Sequence, residues 1–506
     1  SASAGWVGHT VKGETQKMWT RATYFSYVDM NALPTRINFF EPLASWGGNS
    51  LNTYTLSSNW DKGLFFTGQV GYKDYVYLEG SYRQDWYRAF KQFEYRGTPD
   101  NYGYFSVGAN TLMHKYITMP EFITHLKLRA SYSEVGNSIP NEVFSMGSEN
   151  LATGAIASST YGYFDNPLPE TSKSFEAGFD VSLFESALNW DLTYYHTQLC
   201  NSYFLQTTTG GKMKPVNTGL IRNQGVETTL SYSLNFSKDW MWRTSVNFSY
   251  NDNKIVKTFK DDQGNPAKLE QKIAGGNIVV RYDEGGSYGD MYALDFRRNA
   301  DGSIWLSSEG APQVSTTDFV YLGNMNSKFQ LGWGNTFTWK DLSLYFLING
   351  RIGGKVISLT EAYLDYQGVS KRVGDARDYA AAHNLVWTSS DGSVTKPGMI
   401  MPDGNVAPIQ EYYQTVGGNY MGSQYVYDAT NFRLAELSLG YTFRNLFGGV
   451  IRNLSLSVIG RNLFFIYKDA PIDPNIALST KNGLGAFDIF NMPATRSFGV
   501  NLKIDF

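Results

Sequence analysis

The chain is poor in three things that most soluble proteins of its size contain. Its 506 residues include one cysteine, Cys200, which excludes a disulfide framework and any site built from several cysteines. Only 18% of the residues are charged, below the roughly 25% of soluble domains. No stretch approaches the ~20 consecutive apolar residues of a transmembrane helix, which excludes a helical membrane protein. The net charge of −3 gives no support for nucleic-acid binding.

What the chain has in excess is aromatic residues and glycine. Aromatic side chains make up 16% of the sequence, with 35 tyrosines, and there are 50 glycines. A chain that is too weakly charged for soluble domains and too polar for membrane helices fits a membrane β-barrel or a large soluble all-β protein.

Period-two alternation of apolar and polar residues decides between these two classes. In the last strand, Phe498, Val500 and Leu502 share one face, whereas Gly499 and Asn501 share the other. Segments of about ten residues can cross a bilayer at a tilt. Thirteen such segments occur, at 64–73, 75–85, 103–111, 125–134, 173–183, 188–199, 226–237, 240–251, 328–339, 341–351, 432–443, 453–465 and 496–506.

The links between these segments alternate between short and long. A soluble β-sandwich gives no reason for this, whereas outer-membrane barrels have short periplasmic turns and long extracellular loops. We therefore predict an all-β fold, a transmembrane antiparallel β-barrel in contact with outer-membrane lipid of a bacterium. Its long loops are 86–102, 135–172, 200–225, 252–327, 352–431 and 466–495.

The same pattern predicts the orientation and the extent of the barrel. The final strand runs towards the periplasm, so Phe506 lies on the periplasmic side, residues 1–63 form an extracellular loop region, and 64–506 form the C-terminal part of the barrel. Thirteen strands is an odd number, whereas bacterial single-chain barrels have even numbers. The first ten residues, SASAGWVGHT, contain neither the basic region nor the apolar region of a signal peptide, and residue 1 is not Met. We expect a mature or internal fragment whose remaining strands lie on another segment.

Several stretches resemble one family in the correct order. These are MPEFITHLKLRASYSEVGN (119–137), ETSKSFEAGFDVSLFESALNWDLTYYHTQ (170–198), VNTGLIRNQGVETTLSYSLNF (216–236), NFRLAELSLGYTF (431–443), IRNLSLSVIGRNLFFIYK (451–468) and PATRSFGVNLKIDF (493–506). They are similar to the C-terminal barrel portion of SusC/RagA-type TonB-dependent outer-membrane transporters. The resemblance implies a 22-stranded barrel whose plug domain and first strands are absent from this chain.

The same resemblance implies a function and a set of partners. Family members import large nutrients, for which we favour a glycan or oligosaccharide and place peptides second. The expected partners are the missing N-terminal barrel and plug portion, the TonB complex acting through it, a SusD-like surface lipoprotein, and a second transporter–lipoprotein pair in a dimer. The alternative interpretation is an outer-membrane barrel that anchors an enzyme or an adhesin.

The sequence offers little that points to catalysis or to a bound metal. GGSYG at 285–289 matches G-x-S-x-G, but no helix pattern follows it, so a glycine-rich turn is the simpler interpretation. The five histidines show no metal-binding spacing. The acidic turn of Asp261, Asp262, Gly264 and Asn265 lacks EF-hand spacing, which leaves Ca²⁺ as a weak candidate. We predict no enzyme activity and no cofactor.

Aromatic residues in the long links are the candidate binding residues. Rings there do not have to contact lipid, so they can stack on sugars or contact a partner protein. For any single residue the simpler interpretation is that it packs the loops into a rigid rim, but together the rings indicate a binding vestibule. The candidates are Trp46, Tyr161, Tyr163, Phe164, Tyr203, Tyr288, Trp305, Trp387, Tyr412 and Tyr413. The terminal Phe506 resembles the signal that the barrel assembly machinery recognises.

Overall fold

Fourteen antiparallel strands form one sheet in which every strand pairs with its neighbours in sequence among these fourteen. The computed structural model describes residues 1–18, 52–91, 99–138, 149–150, 155–156, 167–207, 213–260, 264–266, 269–475 and 484–506. The strands are β1 (Ala2–Met18), β2 (Asn52–Tyr72), β3 (Val76–Tyr87), β4 (Asn101–Leu112), β5 (Ile123–Asn137), β6 (Glu170–Leu183), β7 (Leu188–Thr207), β8 (Met213–Asn235), β9 (Trp240–Lys257), β10 (Phe329–Trp339), β11 (Leu342–Ile352), β12 (Asn431–Leu446), β13 (Ile451–Lys468) and β14 (Ser497–Asp505).

All thirteen predicted strands are present, and β1 is an additional one. The prediction that residues 1–63 form a loop is wrong for β1 and for the start of β2, which pair without a break from Ala2 with Gly68 to Met18 with Asn52. Glycines and charged residues interrupt the alternation in β1, so its sequence alone gives a weak strand signal. Pairing with β2, which lies far away in sequence, stabilises β1 as a strand. The described sheet therefore has an even number of strands, fourteen.

The predicted loop 200–225 is also wrong. β7 and β8 continue through most of it and pair from Leu188 with Tyr232 to Thr207 with Met213. Irregular mixing of polar and aromatic residues hides this extension in the sequence, and the ladder itself shifts register near Gly219. With 20 and 23 residues, the two strands are about twice as long as the ~10 residues that cross a bilayer.

The two faces of the sheet differ as the alternation predicts. Apolar side chains such as Leu439, Val458 and Val500 are exposed on one face. The other face carries hydroxyl, amide and charged groups, which require water or one another because lipid cannot satisfy them. A register shift in β12 between Leu434 and Glu436 switches the parity, so apolar residues occupy even positions before it and odd positions after it.

The three links that follow β9, β11 and β13 fold together beside the sheet. We call their described parts the loop domain (258–328, 353–430 and 469–496). Three helices pack there, α2 (Leu359–Tyr366), α3 (Lys371–His383) and α4 (Ile409–Gly418), whereas the four-residue α1 (Arg88–Lys91) follows β3. The strands of the loop domain are Glu270–Ile273, Ile278–Arg281, Asp290–Phe296, Val314–Asn324, Lys355–Ser358, Val386–Thr388, Thr395–Ile400, Val406–Pro408, Val426–Asp428 and Phe487–Asp488.

The loop domain contains the largest buried apolar cluster of the described chain. Ile278, Met291, Ile357 and Tyr425 are fully buried within it, and they come from separate segments of sequence. Further bonds join these segments, for example from the Asn277 side-chain amide to the Asn419 carbonyl oxygen at 2.8 Å. No helix among the described residues is long and apolar enough to span a membrane.

Candidate functional site: a polar wall and the loop domain

The polar face of β7 to β12 forms a continuous wall because the register aligns its side chains in two adjacent rows. The first row contains Asp191, Thr229, Asn247, Gly332, Asn349 and Arg433, and the second contains Thr193, Glu227, Ser249, Gln330, Arg351 and Asn431. With strands ~4.8 Å apart, six strands give a wall about 24 Å wide. A cavity of about 500 Å³ lies against both rows. Such a surface can hydrogen-bond to a hydrated, extended ligand.

At one end of the wall the charges neutralise one another. Arg129 on β5 places one amino group 2.9 Å from Asp180 and the other 2.8 Å from Asp191. The second amino group also donates to the Thr193 hydroxyl at 2.6 Å, and Lys127 lies 3.7 Å from Asp180. These charged groups therefore bind one another and stabilise this end of the wall.

The other end of the wall carries two arginines that are held differently. Arg351 donates from Nη1 to the Asn475 side-chain oxygen at 3.0 Å, and the amide nitrogen of Asn475 donates to Asn431 at 3.2 Å. The guanidinium of Arg433 lies over the Phe465 ring at 5.9 Å. The Nε atoms of both arginines are buried without an acceptor.

Inside the loop domain, a buried ion pair joins α2 to α3. Asp365 is 1% exposed; it pairs with Arg372 and accepts hydrogen bonds from the hydroxyls of Ser370 and, at 3.0 Å, Tyr425. Burial raises the pKa of Tyr425, and the Asp365 charge raises it further. Burial opposes the charged form of Arg372, but its hydrogen bond and attraction to Asp365 raise its pKa overall. This network fixes the orientation of the helices.

Three of the predicted binding aromatics instead serve the packing of the fold. Tyr412 and Tyr413 on α4 are 4% and 5% exposed within the loop-domain core, which contradicts the prediction that they face a ligand. Both rings are buried because α4 packs against α2 and also against α3. Tyr203 lies in strand β7 and not in a loop, and its hydroxyl donates to the Leu168 carbonyl oxygen.

The other predicted aromatics have mixed positions. Trp305 is exposed and stacks on Arg297 at 4.3 Å, which leaves it available to a ligand. Tyr288 is half-buried against Tyr282, and Trp387 is half-buried against Gly310. Phe506 is exposed immediately after β14. Trp46, Tyr161, Tyr163 and Phe164 lie outside the described residues.

Sequence reasoning missed an exposed apolar patch on the loop domain. We define the apolar patch as Tyr363, Tyr366, Ile489, Phe490 and Met492, all of which are exposed. The Tyr363 ring meets Phe490 edge-on at 5.4 Å, and the Phe490 backbone N–H donates to the Thr360 hydroxyl at 2.7 Å. Its members come from α2 and from the last link, which lie far apart in sequence. Only the tertiary contact between these two segments brings them together, so no local sequence pattern predicts the patch.

The other candidate motifs do not form reactive sites among the described residues. GGSYG is a turn that leads into the strand Asp290–Phe296, and the Ser287 hydroxyl donates to Asn253. No group of three or more potential metal ligands occurs in the described part of the chain. Asp261 and Asp262 lie outside it, so the calcium hypothesis stays a prediction.

Comparison with known proteins identifies relatives over most of the chain. The profile of the TonB dependent receptor-like β-barrel family matches residues 3–463. Two TonB-dependent receptors of Formosa agariphila are 24% and 23% identical, over 80% and 98% of this chain and 42% and 51% of their own lengths. The TonB-dependent receptor SusC of Bacteroides thetaiotaomicron is 20% identical over 67% of this chain and 32% of its own. The chain thus spans about half the length of these relatives or less.

Solved structures agree at the level of the fold. The RagAB peptide importer in its open-open state matches 100% of this chain and 52% of that chain, with a TM-score of 0.69 and 18% identity. Another structure of the RagAB peptide transporter matches 91% of this chain and 49% of that chain, with a TM-score of 0.65 and 18% identity. The fourteen-stranded sheet, the apolar and polar faces of its strands and these matches agree. The chain belongs to the TonB-dependent receptor β-barrel family of outer-membrane proteins.

Proposed function

We propose that this chain is part of a TonB-dependent outer-membrane importer of large nutrients. The observation that carries the proposal is the polar wall, which runs across six strands beside a cavity of about 500 Å³. Neutral hydroxyl and amide groups dominate its centre, so it can exchange hydrogen bonds with a moving ligand without holding it tightly. We favour an oligosaccharide as the nutrient and place a peptide second.

The proposed orientation follows from the lengths of the links. The loop domain and the other long links lie outside the cell, and the short turns such as 73–75 and 340–341 lie on the periplasmic side. β14 then runs towards the periplasm, with Phe506 there as the assembly signal. Successive strands run in opposite directions. With fourteen strands, β1 therefore begins on the periplasmic side, where β14 ends.

The edges of the sheet support the proposal that another segment completes the barrel. Among the described strands, β1 pairs only with β2, and β14 only with β13. Open edges are costly in lipid because backbone N–H and C=O groups cannot find water there. Large transporters of this type have ~22 strands around a plugged lumen. We propose about eight further strands, a plug and a TonB contact on the part of the protein that its relatives contain beyond the matched region.

Uptake measurements test this function directly. A deletion strain should lose growth on the imported nutrient and regain it with the full-length transporter, when oligosaccharides and peptides are supplied in parallel as sole carbon sources. Unchanged uptake of every nutrient after deletion would overturn the proposal. Hydrolysis of a nutrient by the purified complex without any uptake would instead favour the anchor interpretation.

We also propose that a SusD-like surface lipoprotein binds the apolar patch. The patch is exposed and contains three aromatic rings. It lies on the loop domain, which in the proposed orientation is outside the cell, where a surface lipoprotein can reach it. Aromatic residues are enriched among those that dominate binding energy at protein interfaces. Phe490 is 59% exposed and Met492 89%, so a partner could bury a large apolar area there.

Replacing Tyr363 and Phe490 together by serine should weaken the lipoprotein complex by about 30-fold, the equivalent of one strong interface residue of ~2 kcal/mol. Binding can be measured by titrating purified lipoprotein against the immobilised full-length transporter. Tyr379→Ser is the matched control, because this exposed tyrosine on α3 stacks on His383 outside the patch. Equal affinity for the double variant and the control would exclude the patch as the docking surface.

A further inference from the structure

Arg351 and Arg433 lie next to each other on the wall. Arg351 on β11 pairs with Asn431 on β12, and Arg433 on β12 pairs with Asn349 on β11. The two arginines are therefore diagonal neighbours on one face, with Cα atoms ~7–8 Å apart. Both line the same cavity of about 500 Å³, so their guanidinium groups reach one ligand volume.

Neither arginine has a carboxylate partner among the described residues, in contrast to Arg129 and Arg461 on the same face. Arg129 pairs with Asp180 and Asp191, and Arg461 on β13 pairs with Glu436 at 2.9 Å. Arg351 contacts an amide oxygen, and Arg433 contacts the Phe465 ring. Asp473 attracts Arg351 at longer range without forming an ion pair with it, and its carboxylate accepts the Asn475 backbone N–H at 2.9 Å.

Two unpaired guanidinium groups in a cavity are a costly arrangement without an anion. Each has a planar set of five donors that matches a carboxylate in a bidentate geometry. The neighbouring side-chain amides of Gln330 and Asn349 add donors around the same volume without adding a competing negative charge. Glu227 and Asp191 are the carboxylates of the cavity, and they lie three and five strands away from the arginines in the same rows.

We propose that Arg351 and Arg433 form a subsite that binds a carboxylate group of the ligand during its passage through the lumen. The carboxylate belongs to a uronate unit of an acidic oligosaccharide or to an acidic residue of a peptide. This proposal rests on the proposed import function, because it names the chemistry that the wall selects.

Arginine protection tests the subsite by itself. The full-length transporter is treated with phenylglyoxal, which modifies free guanidinium groups, and labelling is followed by peptide mass spectrometry. Oligogalacturonate or oligoglutamate should slow labelling of Arg351 and Arg433 at least threefold, whereas methyl-esterified oligogalacturonate and oligoglutamine should not. The probe that protects identifies the carboxylate source. Equal labelling with and without both acidic probes would overturn the proposal.

Charge-removing variants provide the second measurement. Arg351→Gln and Arg433→Gln should each weaken binding of the protecting acidic probe by about tenfold, as expected for a lost charge-assisted hydrogen bond, and should leave the neutral counterpart unchanged. Arg461→Gln removes the same charge from a paired arginine on the same face and should have little effect. An equal loss in all three variants would show a general field effect and would contradict the subsite.

These results are independent of the outcome for import. If acidic probes protect both arginines but deletion of the transporter impairs no uptake, the import function fails and the carboxylate subsite stands. If uptake depends on the transporter but neither acidic probe protects the arginines, the subsite fails and the import function stands.

Discussion

Asp365→Ala should lower the free energy of unfolding of the loop domain by about 3–5 kcal/mol, the usual cost of leaving one member of a buried ion pair without its partner. Arg372 would lose its counterion, and the hydroxyls of Ser370 and Tyr425 would lose their acceptor. Hydrogen exchange of the full-length transporter should therefore become more than ~100-fold faster across α2 and α3. The barrel strands should keep their protection.

Two further variants separate the buried charge from a general effect of substitution. Lys371→Ala removes a surface pair in which the lysine side chain is 88% exposed, and it should change stability by at most ~1 kcal/mol. Replacing Asp365 by Leu and Arg372 by Met removes both charges, so it should recover the part of the loss that comes from the unpaired arginine, whereas the part that comes from the Tyr425 hydroxyl remains. Similar exchange rates in Asp365→Ala and Lys371→Ala would show that the ion pair does not stabilise the helices.

The strands were predictable because the bilayer imposes one requirement on every residue that crosses it. An apolar face towards lipid and a polar face towards the lumen produce a period-two pattern that is visible one residue at a time, as in Phe498, Val500 and Leu502. β1 escaped prediction because its position depends on pairing with β2. The loop domain escaped it because its core joins Ile278, Ile357 and Tyr425 from distant segments.

The candidate site was predictable only in part, for a related reason. Alternation predicts that Arg351 and Asn349 share the polar face of β11, but it does not say which residues of β12 lie opposite. The register shift after Leu434 sets that pairing, and with it the approach of Arg433 to Arg351. Aromatic content misled in the loops, because Tyr412 and Tyr413 stabilise the core of the loop domain.

Val458→Arg is expected to destabilise the barrel by about 2–4 kcal/mol, the usual cost of a lipid-facing arginine near the midplane of the bilayer. Val458 on β13 is 55% exposed and pairs with Leu439 and Val500, so three strands present apolar side chains at the same level. A charged guanidinium there would contact hydrocarbon. Folding of the full-length transporter into lipid vesicles, followed by urea titration, measures the loss.

Ser457→Arg is the matched control, because it introduces the same charge one residue earlier on the opposite face. Ser457 pairs with Gly440 and Asn501, which belong to the polar face, so the new side chain would extend into water. We expect its stability to stay within about 1 kcal/mol of the parent protein, since surface substitutions usually have small effects. If Ser457→Arg proved as damaging as Val458→Arg, the assignment of the two faces to lipid and lumen would be wrong. The polar wall would then lose its place in a water-filled pathway.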